Sequence, residues 1–264
     1  MKKLKGAVMI AAVMGMLGFT SCLDGDGENV YSGGGFVTTQ GFDGAYSFRF
    51  SDGSSVVPTN QELLEGKLPA GYTYYYIQYS FTSEENTGAE TSKSINAEIN
   101  YLVPIKTDQA VPAAPSETSG NAPVIGVNTL SGASFGYYDR NNIFVPISYA
   151  YKSSGDEDEL DAEYASHRFF LYYDTQNTNL TKDRMYVELR HTVDDPSLND
   201  KRTSVTGEWR HFNIQQIVSM HQSKFGTSEL PDQIVVEYEQ ASSGSYEQTY
   251  DRPAEIAYGS LFEQ

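Results

Sequence analysis

Cysteine is almost absent from this chain, because Cys22 is the only one among 264 residues. A single cysteine excludes a disulfide within the chain, so the fold has to be stabilised by its hydrophobic core. Basic residues are also scarce, with 18 Lys and Arg against 35 Asp and Glu, which gives a formal net charge of −17. A surface of that sign repels nucleic acids and anionic lipid headgroups, so we expect a neutral or basic partner and no nucleic acid.

The uncharged run near the N-terminus, 6–19, is too short to cross a bilayer as a helix. Three lysines precede it, and small residues and Cys22 follow it, which is the layout of a secretory signal peptide. The sequence therefore predicts a signal peptide over 1–21. An ordinary signal peptide followed by a chance cysteine is the alternative.

The four residues that end at Cys22, Phe19-Thr20-Ser21-Cys22, resemble a bacterial lipobox. The resemblance implies cleavage before Cys22 and acyl chains, such as palmitate, on its thiol and amine, and two or more chains anchor a protein stably. Loss of 1–21 leaves 243 residues (264 less 21) and removes three lysines, so the charge changes from −17 to −20. The acidic, Gly-rich segment 22–35 is predicted as a tether, and its start resembles the export signal of surface lipoproteins in Bacteroidetes-type bacteria. We therefore expect a lipid-anchored outer-membrane protein that faces the outside of the cell.

Two acidic segments share features with calcium sites. Asp24, Asp26 and Glu28 alternate like the start of a calcium-binding loop, but the other ligands and the glycine of that motif are missing. Segment 153–163 carries six carboxylates, which predicts a solvated loop, with a low-affinity calcium site as the alternative. We expect no cofactor and no resident metal.

Residues 36–106 show the period of two that is typical of strands with one buried face. Tyr46, Phe48 and Phe50 alternate with other residues before the turn signal Asp52-Gly53. The same alternation recurs over 72–81 and over 95–105. Such strands, joined by short turns, predict an OB-like small barrel of about five strands.

Segment 107–123 holds three prolines and lacks this alternation, which predicts a Pro/Ala/Ser linker between two domains. Residues 124–264 are predicted to form an antiparallel β-sandwich with one short helix, capped by Asn213 and ended by Gly226. The predicted fold class is therefore all-β, an N-terminal OB-like barrel followed by a C-terminal sandwich.

The most convincing hairpin of the second half joins 167–174 to 185–191. Burial of its apolar residues predicts that Phe169 pairs with Leu189. Continuing that register places His167 opposite His191 on the inward face. Two imidazoles so close cannot both be charged cheaply, so a structural polar pair is predicted, with a metal or ligand site as the alternative.

Catalytic motifs are few. Gly132-Ala133-Ser134-Phe135-Gly136 matches the pattern of a nucleophile elbow, which holds a serine on a turn between a strand and a helix. The residues that follow, 137–142, predict a strand end and a turn instead, so two turn glycines around a short strand are favoured. No zinc-type His or Cys spacing is present in the sequence. We predict that the protein is not an enzyme.

Tyrosine is plentiful, with 20 residues. On the predicted outer face of one strand, Tyr74 and Tyr76, with Tyr72 beside them, are candidates to stack on sugar rings. The alternative is that they cover the barrel against the second domain or the tether.

Several pieces of the sequence resemble NigD-like lipoproteins. They are Ser21-Cys22-Leu23-Asp24, the hairpin of 46–58, Gln78-Tyr79, Asn100-Tyr101, 167–174 and 188–191. The resemblance implies a lipobox, an acidic tether, an OB-like barrel and a β-sandwich, and it supplies no catalytic residues. The chain departs from the family pattern in the acidic segment 156–163 and in the tail after Gln240.

The family is named for a proposed role in bacteriocin immunity. The resemblance therefore implies a non-catalytic interaction or binding protein at the cell surface, whose protein or glycan partner is unknown. A glycan-binding lipoprotein of a polysaccharide-uptake system is the alternative, and a serine hydrolase is the third hypothesis.

Overall fold

The computed structural model describes residues 30–42, 45–64, 66–82, 86, 93–120, 122–127, 135–194, 202–242 and 245–262. The chain divides into two compact units, of which the first ends at Lys106 and the second begins at Thr107. Within the described ranges, no helix combines the length and the apolar character that a membrane span requires.

The first unit is a closed barrel of five strands. They are β1 (Val30–Phe42), β2 (Ala45–Arg49), β3 (Ser55–Pro58), β4 (Tyr74–Thr82) and the first part of β5 (Ser94–Val111), with a short 3-10 helix at Gln61–Leu63. β1 pairs with β2 and β4, β3 pairs with β2 and β5, and β4 pairs with β5, so the ring of pairings closes. Among the pairings of the described strands of this unit, only that of β3 with β5 is parallel. The predicted OB-like barrel is confirmed.

Strand β4 and the turn between β2 and β3 form where the sequence predicts them. Alternate residues of β4 (Tyr75, Ile77, Tyr79 and Phe81) are buried in its core. The turn between β2 and β3 forms at Asp52-Gly53, where Gly53 has a φ of 83° that favours glycine. Oδ1 of Asp52 accepts a hydrogen bond from the backbone N–H of Ser54 at 2.9 Å. The short polar side chain and the glycine therefore fix the register of the hairpin.

The predicted tether, 22–35, is too long, because β1 already begins at Val30. Gly33 and Gly34 lie within this strand, opposite Tyr79 and Gln78 of β4. A Cβ on Gly33 would lie 2.6 Å from the hydroxyl of Tyr79, and one on Gly34 would lie 2.7 Å from a backbone carbonyl oxygen of β4. These glycines therefore permit close strand packing rather than flexibility. The rest of the predicted tether lies outside the described residues.

The second unit contains two sheets around one core. One sheet comprises β6 (Gly126–Val127), β7 (Gly136–Asp139), β8 (Asn142–Tyr151) and β11 (Ser204–Asn213). The other comprises the end of β5, β9 (His167–Tyr172), β10 (Arg184–Val193), β12 (Gln233–Ser242) and β13 (Ser245–Ala257). Residues of both sheets, such as Ile147 and Val187, join one hydrophobic cluster, so the predicted β-sandwich is confirmed. Two of its pairings, β10 with β12 and β5 with β9, are parallel.

The described residues contain two α-helices where the sequence predicted one. The predicted helix is α2 (Gln215–Phe225), which ends at Gly226 with a φ of 64°. The additional helix is α1 (Glu157–Ser166), in the acidic segment predicted to be a loop. The side chain of Asp156 accepts a hydrogen bond from the backbone N–H of Glu159, and the acidic residues of the first turn face the positive end of the helix dipole. A short 3-10 helix at Gly259–Leu261 follows β13.

Residues 107–123 do not behave as the predicted linker, because they belong to the second unit. Thr107–Val111 complete β5, whose last residues pair with β9. Further along, the backbone N–H of Ala122 donates to the carbonyl oxygen of His191 at 3.2 Å. The prolines end the strand at Val111. The chain that follows is still hydrogen-bonded to the sheet at Ala122.

Candidate functional site

A cleft of about 300 Å³ lies on the solvent side of the sheet that contains β9, β10 and β12. Because side chains alternate along each strand, the residues of β10 that do not enter the core face this side. The strand residues that line the cleft are Tyr172, Tyr186, Val187, Glu188, Arg190 and Glu237. Half of the lining residues therefore lie on hydrogen-bonded strands, which position side chains more firmly than loops do.

The segment predicted as a linker forms one wall of this cleft, with Ser116 and Glu117 among the lining residues. A turn shapes it, since the backbone N–H of Ser119 donates to the carbonyl oxygen of Ser116 at 2.9 Å. Gly120 then crosses β10 so closely that a Cβ would lie 3.1 Å from Cδ of Arg190. Sequence reasoning missed this wall, because its composition carries no signal that it packs on a sheet.

Charges in the cleft are unbalanced. Four carboxylates line it (Glu117, Asp174, Glu188 and Glu237), against the single guanidinium of Arg190. Glu188 and Glu237 lie directly opposite each other in the register of β10 and β12. Burial, together with the negative charge of Glu237, raises the pKa of Glu188, although Arg190 opposes that change. The cleft is therefore suited to a neutral or positively charged ligand.

Arg190, the basic residue of the lining, forms an ion pair within this site. One of its Nη atoms contacts Glu188. Its Nε atom is buried and has no hydrogen-bond partner among the residues that the structure describes. The tyrosine rings add apolar surface beside these charges, so the cleft offers both flat contact area and ionic contacts.

The predicted pair of histidines lies on the inner side of the same sheet. Nδ1 of His167 lies 2.9 Å from Nε2 of His191, and both side chains are buried. The predicted register is wrong by two residues, since His167 pairs with Val193 and His191 pairs with Phe169. The shift of two keeps both imidazoles on the inward face, where the ring of His191 stacks on Phe169 at 4.4 Å.

The histidine pair contacts a charged cluster at the end of α1. Nε2 of His167 lies 3.1 Å from Oε1 of Glu163, and Arg202 binds both oxygens of that carboxylate at 2.7 and 2.9 Å. Although burial opposes the change, hydrogen bonds from Arg202 and from neighbouring groups lower the pKa of Glu163. Because the ionised carboxylate accepts only, His167 donates its Nε2 proton to it.

Both imidazoles are then neutral, with His191 donating from Nε2 to Nδ1 of His167. Burial lowers the pKa of each ring, and the neighbouring His167 adds to the effect on His191. With its proton on Nε2, His191 has no hydrogen on Nδ1, so the 3.5 Å separation of Nδ1 from the carbonyl oxygen of Pro123 is a contact and not a hydrogen bond. Among the described residues, no group of three His, Cys, Asp or Glu side chains is placed to hold a metal ion.

A second buried ionic group, centred on Arg210, lies beside the histidines. Nη2 of Arg210 donates to Glu208 at 2.6 Å, Nη1 contacts Asp108 at 3.3 Å, and the hydroxyl of Tyr149 donates to Glu208. The guanidinium also lies 4.7 Å above the ring of Phe169. Burial raises the pKa of Asp108, although Arg210 counteracts it. Sequence reasoning missed this group, because an arginine within a strand ordinarily predicts an exposed face.

The three tyrosines proposed for sugar stacking do not form one row. Tyr72 packs against the core of the barrel, with its ring 6.5 Å from that of Tyr75. Tyr76 lies between two other aromatic rings, at 5.3 Å from Phe36 and 6.5 Å from Tyr101. Tyr74 shares the outward alternation of β4 with Tyr76. The aromatic surface of the barrel is thus centred on Tyr76 rather than on Tyr72.

Several sequence predictions lie outside the described residues, namely Cys22 with the signal peptide, the acidic residues 24–28 and Ser134. Downstream of Ser134, Gly136–Asp139 forms β7, which pairs antiparallel with β8. A nucleophile elbow leads from a strand into a helix, so this strand does not provide the geometry that the motif requires.

Comparisons with known proteins identify similar folds. No family model matches the chain, and no curated protein matches it either. A putative lipoprotein from Bacteroides fragilis has a similar structure, with a TM-score of 0.67 and 22% identity over 86% of this chain and 97% of that one. A protein of unknown function from Bacteroides vulgatus has a TM-score of 0.53 and 12% identity over 86% of this chain and 90% of that one.

A NigD-like immunity protein from Bacteroides caccae also matches, with a TM-score of 0.49 and 12% identity over 85% of this chain and 96% of that one. At these identities the comparisons show a shared fold. This chain has the fold of the Bacteroides fragilis protein over most of its length.

Proposed function

We propose that the protein is a lipid-anchored protein of the outer membrane that binds a ligand without transforming it, through the cleft on β9, β10 and β12. The observation that carries the proposal is the cleft itself, about 300 Å³ in volume, with tyrosine rings and carboxylates on hydrogen-bonded strands. Small-molecule and side-chain binding sites are concave and combine apolar surface with a few placed polar groups.

The anchor rests on the lipobox-like residues that end at Cys22. Labelling of cells with a palmitate analogue should mark the wild-type protein and a Ser21→Ala control, whereas Cys22→Ala should be unmarked and released from membranes. Protease added to intact cells should degrade the anchored protein if it faces outward. Absence of label on the wild-type protein would refute the lipid anchor.

The binding role is tested with the purified mature protein on an array that carries oligosaccharides and short peptides of both charge signs. We expect one class of probe to bind, and Tyr172→Leu to weaken that binding at least fivefold, because the ring that lines the cleft is lost. A Tyr250→Leu variant is the matched control, since Tyr250 is exposed in the same sheet and does not line the cleft. Binding that Tyr172→Leu leaves unchanged for every probe class would refute the cleft as the binding site.

Glycan binding through the barrel is the second candidate, favoured by the aromatic surface of Phe36, Tyr76 and Tyr101. Tyr101 is 49% exposed, and a stacking platform requires an exposed aromatic residue. Tyr101→Ala should then weaken oligosaccharide binding while Tyr172→Leu leaves it intact. Polysaccharide-uptake genes beside this one would favour glycan binding, and toxin or secretion genes would favour an immunity role.

A further inference from the structure

We propose that the cleft on β9, β10 and β12 recognises a positively charged peptide segment of another protein, with a lysine or arginine side chain held between Tyr172 and the paired carboxylates of Glu188 and Glu237. This inference rests on the proposed function and specifies its ligand. Three features of the site support it, namely the charge of the lining, a similar contact that the protein already makes with its own side chains, and the size of the cleft.

Charge is the first feature. The lining carries four carboxylates and one guanidinium, and two of the carboxylates, on Glu188 and Glu237, are direct neighbours across β10 and β12. Like charges in directly opposed positions destabilise a sheet. Arg190 contacts Glu188 and offsets part of that repulsion. A ligand cation beside Glu237 would remove more of it, whereas a neutral ligand would not. The net charge of −17 also steers cations, rather than anions, toward the protein.

The second feature is a contact of the same kind between the protein's own side chains, next to the cleft. The guanidinium of Arg184 lies 5.6 Å from the centroid of the Tyr186 ring and contacts the carboxylate of Glu255. A cation above a tyrosine and beside a glutamate is therefore a contact that this sheet already makes with its own side chain. Tyr172, beside Glu188 and Glu237, offers a ligand the same combination of groups.

Size is the third feature. A volume of about 300 Å³ accepts one or two long side chains and not a folded domain. Glu117 and Ser116 on the wall supply oxygen atoms for further contacts along a bound backbone. The cleft thus fits a short exposed segment of a larger protein, from which a basic side chain enters.

The test measures binding of fluorescent pentalysine by anisotropy to the mature protein, at about 50 and 200 mM salt. Pentaglutamate and the neutral sugar N-acetylchitopentaose serve as comparison probes. The variants are Glu237→Gln and Tyr172→Leu, with Glu62→Gln as the matched control, because Glu62 is exposed in the first unit and loses the same charge. Thermal melting confirms that each variant is folded.

We expect both cleft variants to weaken pentalysine binding at least fivefold, and Glu62→Gln to change it less than twofold. Equal losses in Glu237→Gln and Glu62→Gln would show that pentalysine binds the acidic surface at large and would overturn the inference. Binding of N-acetylchitopentaose that depends on Tyr172, without cleft-dependent binding of pentalysine, would overturn it while leaving the proposed function in place. No Tyr172-dependent binding of any probe would overturn both.

Discussion

His167 and His191 share one hydrogen bond, 2.9 Å long, between Nδ1 of the first ring and Nε2 of the second. Their backbones are not opposite each other in the sheet, because His167 pairs with Val193 and His191 with Phe169. The contact therefore runs diagonally across β9 and β10, on the face that enters the core. Both rings are held neutral there by burial.

This burial predicts how stability depends on pH. All four histidines are buried, at 0 to 3% exposure, and burial lowers the pKa of each, that of His211 to about 4. Because the unfolded chain takes up these protons at a higher pH, the free energy of unfolding should fall as pH drops below about 6.5. For His211 alone the loss should reach roughly 3 kcal/mol by pH 4. Urea unfolding from pH 8 to pH 4 measures it.

The control is His211→Gln, which retains an amide near Thr107 and Asn142, the hydrogen-bond partners of that ring. The free energy of unfolding of this variant should fall less steeply as the pH drops. It should still fall, because the other three histidines remain. Stability that rises between pH 7 and pH 5 would contradict the neutral, buried state of these rings.

Replacement of His191 tests a structural role for the pair. We expect His191→Leu to lower the free energy of unfolding by about 1–3 kcal/mol, because buried Nδ1 of His167 loses its partner. Zinc binding, measured by calorimetry, should equal that of the wild type. Stoichiometric zinc that is lost in His191→Leu but retained in His211→Gln would show a metal site instead.

Arg210 tests the buried ionic group. Its side chain is 2% exposed and contacts Glu208 and Asp108, so Arg210→Met should leave two partly buried carboxylates without a counter-charge and cost about 3 kcal/mol. Arg168→Met is the matched control, because its pair with Asp194 is exposed on both sides, and it should cost less than about 1 kcal/mol. Denaturant unfolding compares the two, and similar small losses would contradict the role assigned to Arg210.

The glycines of β1 give a further prediction. Gly34→Ala should destabilise the barrel by about 1–3 kcal/mol, since its Cβ would lie 2.7 Å from the backbone carbonyl oxygen of Ile77, which cannot rotate away. Gly155→Ala is the control, because no atom of the structure lies within 4 Å of a Cβ there. Equal unfolding midpoints for the two variants would show that β1 does not pair with β4 as described.

Patterns within single segments predicted much of the fold. The alternation over 72–81 and over 95–105, together with the Asp52-Gly53 turn, was sufficient to predict the barrel. Gly226 was sufficient to predict the end of α2. Two strands, β11 and β13, were missed. In β11 the consecutive residues Arg210, His211 and Phe212 are all buried and two of them are polar, so the strand does not show the period of two.

The amino-acid sequence by itself determined the fold class and the inward face shared by His167 and His191, because strand alternation is a local property with a period of two residues. Only the tertiary structure decided that their strands are shifted by two residues, that Gly33 and Gly34 pack within a strand, and that residues 114–117 wall a cleft. A shift of two leaves every side chain on the same face, so the sequence pattern cannot distinguish the registers. A glycine or proline likewise has the same local preferences in a free tether and against a sheet, and the neighbouring strand decides between them.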